Sequence, residues 1–541
     1  MKKRIMSVIL VCVLVMSALV GCGNNESETK TSSATTTEKE TEVAASEESV
    51  PEEKEREYVE LVVYNYLNSA MQPGLEETIE AVNEYLKEKL NCTLDMHIYA
   101  TRATYNETVS TIVSSGTYFD MVLSGADRVP FNTFASQNLF LPLEDYVDEY
   151  LPATKSQVPE ASWDAFTLND HLYAIPLYRD FATVWGFISN TTMLDDLGIS
   201  FPEKYDTFTD LYDFFYEVKA ARDAKQPELA KQPIVKHPSA GKLISASFFY
   251  EGLVTTNDLV VANIPGLTSF EGMGEGETVF CPYFTDEYRD LVKNVNKMVQ
   301  DNILPYDLSA FDPDKVLQNS GALLGSFTQG TIFKDKDDYA PAYQCALELS
   351  ENATLTLSGL QAGGYAISAE SENVERCLEV IDLLATDEYL ATILHYGPEG
   401  IGWTDEDNDG VIELTDLNKD SKNRYFYQWN GWNLGGLAVT KVPPKTPTNY
   451  AELLGDVINT ATAGSNVGFI VDTEQIVNEI AACNNVVKEY HNVLAAGQNN
   501  DVDKLVDEFV AKLKASGMEK IVEEVQNQLN AWRQEKGLTV K

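Results

Sequence analysis

Residues 59–66 read VELVVYNY, residues 93–99 read TLDMHIY and residues 119–123 read FDMVL, and these three stretches decide the fold class. Each is rich in β-branched and aromatic residues, which is typical of a β-strand. Between the first two stretches, apolar residues recur from Leu75 to Leu86 at the spacing of one helix face. Strands that alternate with helices form parallel βαβ units, so the sequence predicts an α/β fold.

The loops that follow these strands are the first places to look for a ligand site. In an open α/β sheet, ligands bind at the carboxyl ends of the strands. The loops begin here at Tyr66, at Tyr99 and at the segment Ser124-Gly-Ala-Asp127. We therefore expect ligand-binding side chains at these three positions.

A second α/β region follows a segment that can connect two domains. Asn169-Asp170 is a turn signal, and the chain then passes Pro176 and continues in extended form to Asn190. Helix signals recur beyond it, and residues 321–328 form a small-residue strand and loop that a ligand can approach closely.

The C-terminal forty residues carry the clearest helical pattern. Apolar residues repeat at helical spacing from Val502 to Leu513 and again from Met518 to Trp532, with a break at Gly517. The sequence predicts an antiparallel helical hairpin that packs on the body of the protein.

The first 22 residues have the layout of a secretory signal. Lys2, Lys3 and Arg4 precede an apolar run over residues 5–20, and Leu19-Val-Gly-Cys22 places a small residue directly before a cysteine. This end resembles the bacterial lipobox, in which the cysteine is acylated. We predict a signal peptide over residues 1–21, lipidation of Cys22 and attachment to the outer face of a bacterial cytoplasmic membrane. The alternative is a signal anchor that stays uncleaved.

The segment that follows is polar. From Gly23 to Glu57 it consists largely of Ser, Thr, Glu and Lys, and cannot bury enough surface to offset its ordering entropy. We predict that residues 22–57 are a lipidated, disordered tether and that structure begins near Tyr58.

Charge and cysteine content exclude several classes of protein. The formal net charge of the 541-residue chain is −44, which argues against a nucleic-acid partner because phosphate binding needs clustered Lys and Arg. The five cysteines beyond Cys22 are far apart, so neither a zinc site nor a disulfide framework is predicted. Cys377 has the spacing of a core residue.

Catalytic motifs are missing. The chain has no HExxH or GxSxG motif and only five histidines. Gly241-Lys242 lacks the glycine that a phosphate-binding loop needs five residues earlier, where Lys236 stands. No catalytic residue is therefore predicted, and we do not expect an enzyme.

Several segments together resemble the family 1 extracellular solute-binding proteins of bacterial ABC importers. They are the lipobox, residues 169–176 before the crossover, residues 363–368 leading into a helix, and Thr386-Asp-Glu, which has the pattern of a helix N-cap. The tail, from Tyr396-Gly-Pro-Glu-Gly400 onward, is similar to a subgroup with a C-terminal domain of unassigned function that is typically associated with sugars or oligosaccharides.

The resemblance implies a two-lobed, periplasmic-binding-protein-like α/β fold with a hinge. We place the first lobe at residues 58–180 and 363–400, and the second lobe, with the C-terminal helices, at residues 181–362 and 401–541. It also implies that a carbohydrate, in particular an oligosaccharide, is captured between the lobes and delivered to the permease subunits. The departure from the family is that no charged run dictates an anionic or a cationic ligand.

Aromatic and polar side chains are the candidates for binding a sugar, because a pyranose stacks its C–H face on a ring and needs hydrogen-bond partners around its rim. The stacking candidates are Tyr66, Tyr99, Tyr178, Trp403, Trp429 and Trp432. The polar candidates are Asp127, Arg179, Asp180, Ser326, Thr328 and Glu399. The alternative for each aromatic residue is a place in the core, and for each polar residue an ordinary surface or hinge contact.

Residues 405–416 read DEDNDGVIELTD and match an EF-type calcium loop. The predicted ligands are Asp405, Asp407, Asp409 and Asp416, the last standing where the EF-hand has Glu. The alternative is a β-hairpin that turns at Asp409-Gly410. Calcium is the only cofactor that the sequence suggests.

Three alternatives for the function remain open at this point. Paired carboxylates in an acidic chain leave room for a lipoprotein glycoside hydrolase. A peptide-binding receptor would share the fold, and a surface adhesion or scaffold lipoprotein would need no cleft.

Overall fold

The computed structural model describes residues 56–541, except for the stretches 68–70, 126–127, 183, 206, 237–242, 245–246, 249–250, 256–259, 264–275, 307–323, 331–344, 350–352, 421–423, 427–432, 434 and 445. In parts of several strands only the backbone is described. The predicted signal peptide and almost all of the predicted tether lie outside the described residues. Within the described part of the chain, no helix is long and apolar enough to cross a bilayer.

Strands and helices alternate through most of the chain. The strands are β1 (Val59–Tyr66), β2 (Cys92–Tyr99), β3 (Met121–Gly125), β4 (Val129–Pro130), β5 (Thr167–Leu168), β6 (His171–Leu172), β7 (Ile175–Pro176), β8 (Val184–Asn190), β9 (Val235–Lys236), β10 (Glu251–Thr255), β11 (Val260–Asn263), β12 (Gly325–Gly330), β13 (Cys345–Leu349), β14 (Thr354–Leu355), β15 (Gly364–Ile367), β16 (Trp403–Thr404), β17 (Glu413–Leu414) and β18 (Thr462–Ala463). The helices are α1 (Leu75–Leu90), α2 (Arg102–Ser115), α3 (Phe131–Ser136), α4 (Val147–Tyr150), α5 (Pro152–Gln157), α6 (Glu160–Ala165), α7 (Thr191–Leu197), α8 (Tyr212–Lys225), α9 (Asp286–Gln300), α10 (Leu357–Leu360), α11 (Val374–Thr386), α12 (Glu388–Tyr396), α13 (Tyr450–Thr460), α14 (Val477–Ala495), α15 (Val502–Ala515) and α16 (Met518–Glu535).

A six-stranded sheet forms the core of the first lobe. Its order is β2-β1-β3-β15-β7, with β4 paired to β3. β1 is parallel to β2 and β3, whereas β15 is antiparallel to β3 and to β7. β7 therefore runs in the same direction as β1, β2 and β3, and these four strands end at one edge of the sheet. We call it the strand-end edge.

Helices α1, α11 and α12 cover this sheet with apolar side chains. Val82 and Leu86 of α1, Cys377 of α11 and Leu390 of α12 belong to one buried cluster with the strands. Cys377 is fully buried, which confirms its predicted place in the core.

A four-stranded sheet of order β13-β8-β12-β9 forms the core of the second lobe. β12 and β13 are both antiparallel to β8, and β9 is parallel to β12. Phe187 of β8 packs with Phe215 of α8 and Leu291 of α9 in a buried cluster. The chain enters this sheet directly from the first one, because β7 and β8 are consecutive strands.

The C-terminal helices share a core with the second lobe. α15 and α16 form the predicted helical hairpin, and Gly517 between them has φ +96, a conformation that favours glycine. α14 adds a long helix that the sequence analysis did not predict. Phe509 and Ile521 of the hairpin lie in one buried cluster with Val292 of α9 and Val261 of β11.

A separate cluster joins the segments that run between the two sheets. It contains Tyr178 and Phe181, which follow β7, Leu355 of β14, and Leu454 and Ile458 of α13. β14 pairs in parallel with β18 beside it. We call this group of residues the hinge cluster.

Two boundaries differ from the expectation. Residues 401–426 were assigned to the second lobe, yet Phe426 packs against Gly74 at the start of α1, so this segment belongs with the first lobe. The helix N-cap expected at Thr386 is Asp387, whose carboxylate accepts the Leu390 N–H at 2.8 Å, while Thr386 ends the preceding helix. The second error arises because only Asp387 separates α11 from α12.

Candidate functional site

The strand-end edge of the first lobe gathers two of the predicted aromatic residues. Tyr66 ends β1 and Tyr99 ends β2, and the two strands pair in register, with Tyr66 opposite Tyr99. Both rings contact Tyr105 of α2, with centroid distances of 5.2 Å and 5.8 Å. Tyr105 is fully buried and its hydroxyl donates to the Leu123 carbonyl at 2.7 Å, so it acts as the fixed support of the pair.

Two buried arginines lie at the same edge. Arg128 follows the loop after β3, and its guanidinium carbon is 5.7 Å from the centroid of the Tyr66 ring. Arg179 follows β7, is 2% exposed, and has its Nε 3.6 Å from an Asp180 carboxylate oxygen. The pKa of Arg179 is lowered to about 10, mainly by burial, with Asp180 opposing the shift and Arg128 adding to it.

A network of buried amides ties the C-terminal part of the chain to this edge. The Asn65 side-chain amide donates to the Tyr365 hydroxyl at 2.7 Å and to the Asn433 carbonyl at 2.8 Å. The Asn433 side chain in turn donates to the Tyr66 carbonyl. These hydrogen bonds join Asn433 to the end of β1 and to Tyr365 near the start of β15.

The predicted tryptophans Trp429 and Trp432 lie outside the described residues, but both flanks of their segment are placed. On one side, Tyr425 accepts a hydrogen bond from the Gly74 N–H at 2.8 Å. On the other, Asn433 is held at the end of β1 by the amide network. The two anchor points thus lie before α1 and after β1, on the strand-end side of the first lobe.

Four of the remaining predicted residues are outside the described residues, described by their backbone alone, or placed in the hinge cluster. Asp127 lies outside the described residues, and only the backbone of Ser326 and Thr328 is described, on β12 opposite Ile188 and Gly186. Tyr178 packs edge-on against Phe181 in the hinge cluster.

Trp403 and Glu399 are not brought to the strand-end edge. Trp403 is 1% exposed, donates to the Gly397 carbonyl and packs with Tyr396 and Ile412, so its predicted stacking role is corrected to a core role. Glu399 is exposed beside Tyr389, whose ring contacts Tyr85 in the second half of α1.

Local sequence patterns do not single out Asn65, Tyr105, Arg128, Tyr365 or Asn433 as site residues. The available signals were weak. Asn65 is a polar residue inside an otherwise apolar strand, and Arg128 comes one residue after the loop that was selected. The sheet order brings Tyr365 to this edge, whereas Tyr105 comes from α2 and Asn433 is held there by hydrogen bonds with Asn65 and Tyr66.

The loop over residues 405–416 combines the two structures that the sequence left open. β16 and β17 pair as a hairpin, and within the loop Asp405, Asp407 and Asp409 place carboxylate oxygens within 4.8 Å of one another. Asp416 does not join them, because its side chain is 94% exposed and pairs with Lys419. Three of the four predicted calcium ligands are therefore close together.

A lysine already contacts this loop. The Lys441 ammonium lies 2.5 Å from an Asp405 oxygen and 3.3 Å from the Asn408 side-chain oxygen. The hydrogen bond from Lys441 is the main reason that the pKa of Asp405 lies below its ordinary value. The carboxylate set fits a hard cation that takes oxygen ligands, provided that Lys441 moves away from Asp405.

Comparison with known proteins gives matches along most of the chain. Residues 74–254 match the family of bacterial extracellular solute-binding proteins, and residues 466–534 match DUF3502, a domain of unknown function. A carbohydrate ABC transporter substrate-binding protein of Streptococcus pneumoniae serotype 4 is 25% identical over 481 residues, which cover 86% of this chain and 89% of the relative.

Solved structures share the fold. The N-glycan transport solute-binding protein NgtS from Streptococcus pneumoniae superposes with a TM-score of 0.73 at 20% identity, over 89% of this chain and all of NgtS. Its complex with Man5GlcNAc gives a TM-score of 0.63 at 21% identity, over 89% of this chain and all of NgtS. These likenesses confirm the predicted two-lobed α/β fold. The chain is thus similar to bacterial extracellular solute-binding proteins over residues 74–254 and to DUF3502 over residues 466–534.

Proposed function

We propose that this chain is the substrate-binding protein of an ABC importer that captures an oligosaccharide between its two lobes and delivers it unchanged to the permease subunits. The observation that carries the proposal is the nearly full-length alignment with a carbohydrate ABC transporter substrate-binding protein. In the proposed setting the protein is held at the outer face of the cytoplasmic membrane through a lipid on Cys22.

The strand-end edge supports a sugar ligand. Tyr99 is partly exposed beside the buried Tyr105, and Arg179 and Asp180 provide charged hydrogen-bonding groups at the end of β7. Across the hinge, Ser326 and Thr328 lie on a strand next to β8, which starts at the hinge. Closure of the lobes around a sugar would combine ring stacking, with Trp429 and Trp432 as further candidates, and hydrogen bonds to the hydroxyl rim.

Calorimetry against a panel of oligosaccharides, with chromatographic analysis of the same mixtures, tests this function. We expect binding with the sugars recovered intact. Shortened products would support the glycoside hydrolase alternative, and binding to peptides but to no sugar would overturn the ligand class.

We further propose that Asp405, Asp407 and Asp409 hold a calcium ion. The observation that favours it is the approach of their oxygens in a loop with EF-type spacing. Calcium would neutralise charge among three carboxylates and would order the hairpin, whose Trp403 packs with Tyr396.

A further inference from the structure

One face of the β1–β2 pair carries a row of rings that runs away from the strand-end edge. Side chains alternate between the two faces of a strand, so Tyr64 and Tyr66 lie on the same face of β1. In the parallel register Tyr64 is paired with His97, and Tyr66 is paired with Tyr99. The row therefore leads from the strand-end edge along β2, which is the outermost strand in the described part of this sheet.

The imidazole of His97 is held flat in this row. Its ring stacks on the Tyr64 ring with a centroid distance of 4.6 Å and an interplanar angle of 13°. Its Nε2 atom lies 3.1 Å from an Asp95 carboxylate oxygen. The His97 side chain is nevertheless 43% exposed. Because the buried Tyr64 covers one face of the imidazole, this exposure leaves the opposite face and the ring edge open to a ligand.

Helix α2 covers the middle of this sheet face and leaves its flank open. The Tyr105 hydroxyl of α2 donates to carbonyl groups of β1 and β3 at 3.3 Å and 2.7 Å. On β2, the Asp95 side chain is 50% exposed and Tyr99 is partly exposed. Residues two apart on a strand are separated by about 7 Å, so the side chains from Tyr99 through His97 to Asp95 form a track about 13 Å long.

We propose, on the basis of the function proposed above, that this face of β2 is a subsite for further units of a long oligosaccharide. His97 is the stacking ring of the subsite, and the Asp95 carboxylate accepts hydrogen bonds from sugar hydroxyls. Tyr64 and Asp95 already fix the imidazole, so little side-chain entropy is lost when a sugar stacks on it. Tyr99 lies between the subsite and the strand-end edge, so one ligand chain occupies both.

Ligand length tests the proposal. Oligosaccharide ladders from disaccharide to hexasaccharide, derived from maltose, cellobiose, mannobiose and xylobiose, are titrated into the wild-type protein by calorimetry. In at least one series the affinity should rise by about 2- to 10-fold from the shortest binding member to the longest, which is the range for one ring-stacking contact.

Variants assign the effect to His97. His97→Ala should lower the affinity for the longest ligand by about 2- to 10-fold and leave the affinity for the shortest ligand unchanged. His97→Phe keeps a flat ring and should retain the dependence on length. The matched control is His171→Ala, since His171 is an exposed histidine beside Tyr173 and Glu144 on β6. Circular dichroism of each variant checks that it is folded.

The possible results separate the subsite from the proposed function. Equal affinity for short and long ligands in every series would overturn the subsite and leave the sugar receptor standing. So would a folded His97→Ala variant that binds the longest ligand as the wild type does, or one that loses the same factor with the shortest ligand. Absence of binding by any oligosaccharide would overturn both proposals.

Discussion

At the scale of single residues, burial decides what a polar side chain does. Asn65 is fully buried, yet its amide donates twice and its oxygen accepts the Tyr66 N–H at 2.7 Å. A buried polar group is tolerated only when its hydrogen bonds are made, so this asparagine is a structural centre of the strand-end edge.

Asn65→Leu should destabilise the protein. Leucine has a similar volume, but the buried Asn433 carbonyl and the buried Tyr66 N–H would each lose a hydrogen bond. We expect the free energy of unfolding in urea to fall by about 2–4 kcal/mol. Thr111→Ala, at an exposed helix position, is the control and should change it by less than about 0.5 kcal/mol. Equal losses in the two variants would contradict the role of the network.

A buried histidine predicts a pH dependence. His395 is 3% exposed, and burial lowers its pKa to about 4, although a hydrogen bond with the Ala391 carbonyl partly opposes this. The pKa in the unfolded chain is about 6.5, so the unfolded state binds the proton first. The neutral, buried His395 therefore contributes its full share of folding stability above a pH of about 6.5, and this contribution is lost as the pH falls toward 4.

The loss attributable to His395 should approach about 3 kcal/mol, from 1.36 kcal/mol per pKa unit. His395→Asn should therefore show a shallower fall in stability between pH 7 and pH 4 than the wild type in urea titrations. His97→Asn, at a partly exposed strand position, is the control. Parallel curves for His395→Asn and the wild type would refute this assignment.

At the scale of elements, short segments gain their order from what they pack against. The loop between β16 and β17 is held from outside, since the Ile412 N–H donates to the Val442 carbonyl and the Val442 N–H to the Gly410 carbonyl. The same neighbouring segment carries Lys441, which contacts Asp405. Any cation that binds the loop must compete with this ammonium group.

Calcium should raise the melting temperature of protein that has first been treated with a chelator. The corresponding stabilisation is about 2.7 kcal/mol at a free calcium concentration of about 100 times the Kd. Asp407→Asn combined with Asp409→Asn should abolish the response, and Lys441→Met should increase the calcium affinity. Asp416→Asn is the matched control and should respond like the wild type, because the exposed Asp416 side chain pairs with Lys419 and is not part of the carboxylate cluster. If calcium did not change the melting temperature of the wild-type protein, the loop would be a β-hairpin without a calcium site.

At the scale of the whole molecule, two sheets and a shared hinge cluster define the working parts. The C-terminal helices extend the core of the second lobe, and α16 is attached by side-chain amides. Gln526 pairs with the Val279 N–H and the Glu277 carbonyl, and Gln528 pairs with both backbone groups of Asp472. These side-chain amides thus satisfy backbone N–H and carbonyl groups as a paired β-strand would.

Cys22→Ser should release the protein from the membrane, because acylation requires the thiol. Membrane fractionation followed by immunoblotting measures this, with Cys12→Ser as a control that keeps the lipobox. If Cys22→Ser stayed in the membrane fraction like the wild type, the uncleaved signal anchor would be the better interpretation.

Local patterns were enough to predict the elements and the fold class. Strand β1 has the predicted bounds, and helices α15 and α16 follow their apolar repeats closely, because strand and helix periodicity depend on near neighbours in the chain. The two-lobed fold came from the family resemblance and is confirmed by the comparisons. Tyr66 and Tyr99 end adjacent parallel strands, as predicted, but Tyr66 is buried in the core, and the binding role of both stays a prediction.

The composition of the site was decided by tertiary structure. Tyr365 and Asn433 reach the end of β1 from about 300 and 370 positions away, as the separations of their hydrogen bonds with Asn65 show. Trp403 is a residue type that can stack on a sugar, but it lies in a core with Tyr396 and Ile412. This packing depends on the orientation of the β16–β17 hairpin, which no local sequence pattern predicts. Periodicity and turn chemistry can be read from local sequence because they depend on residues that are near one another in the chain. Only the fold determined which strand ends meet, because sheet order depends on long-range pairing.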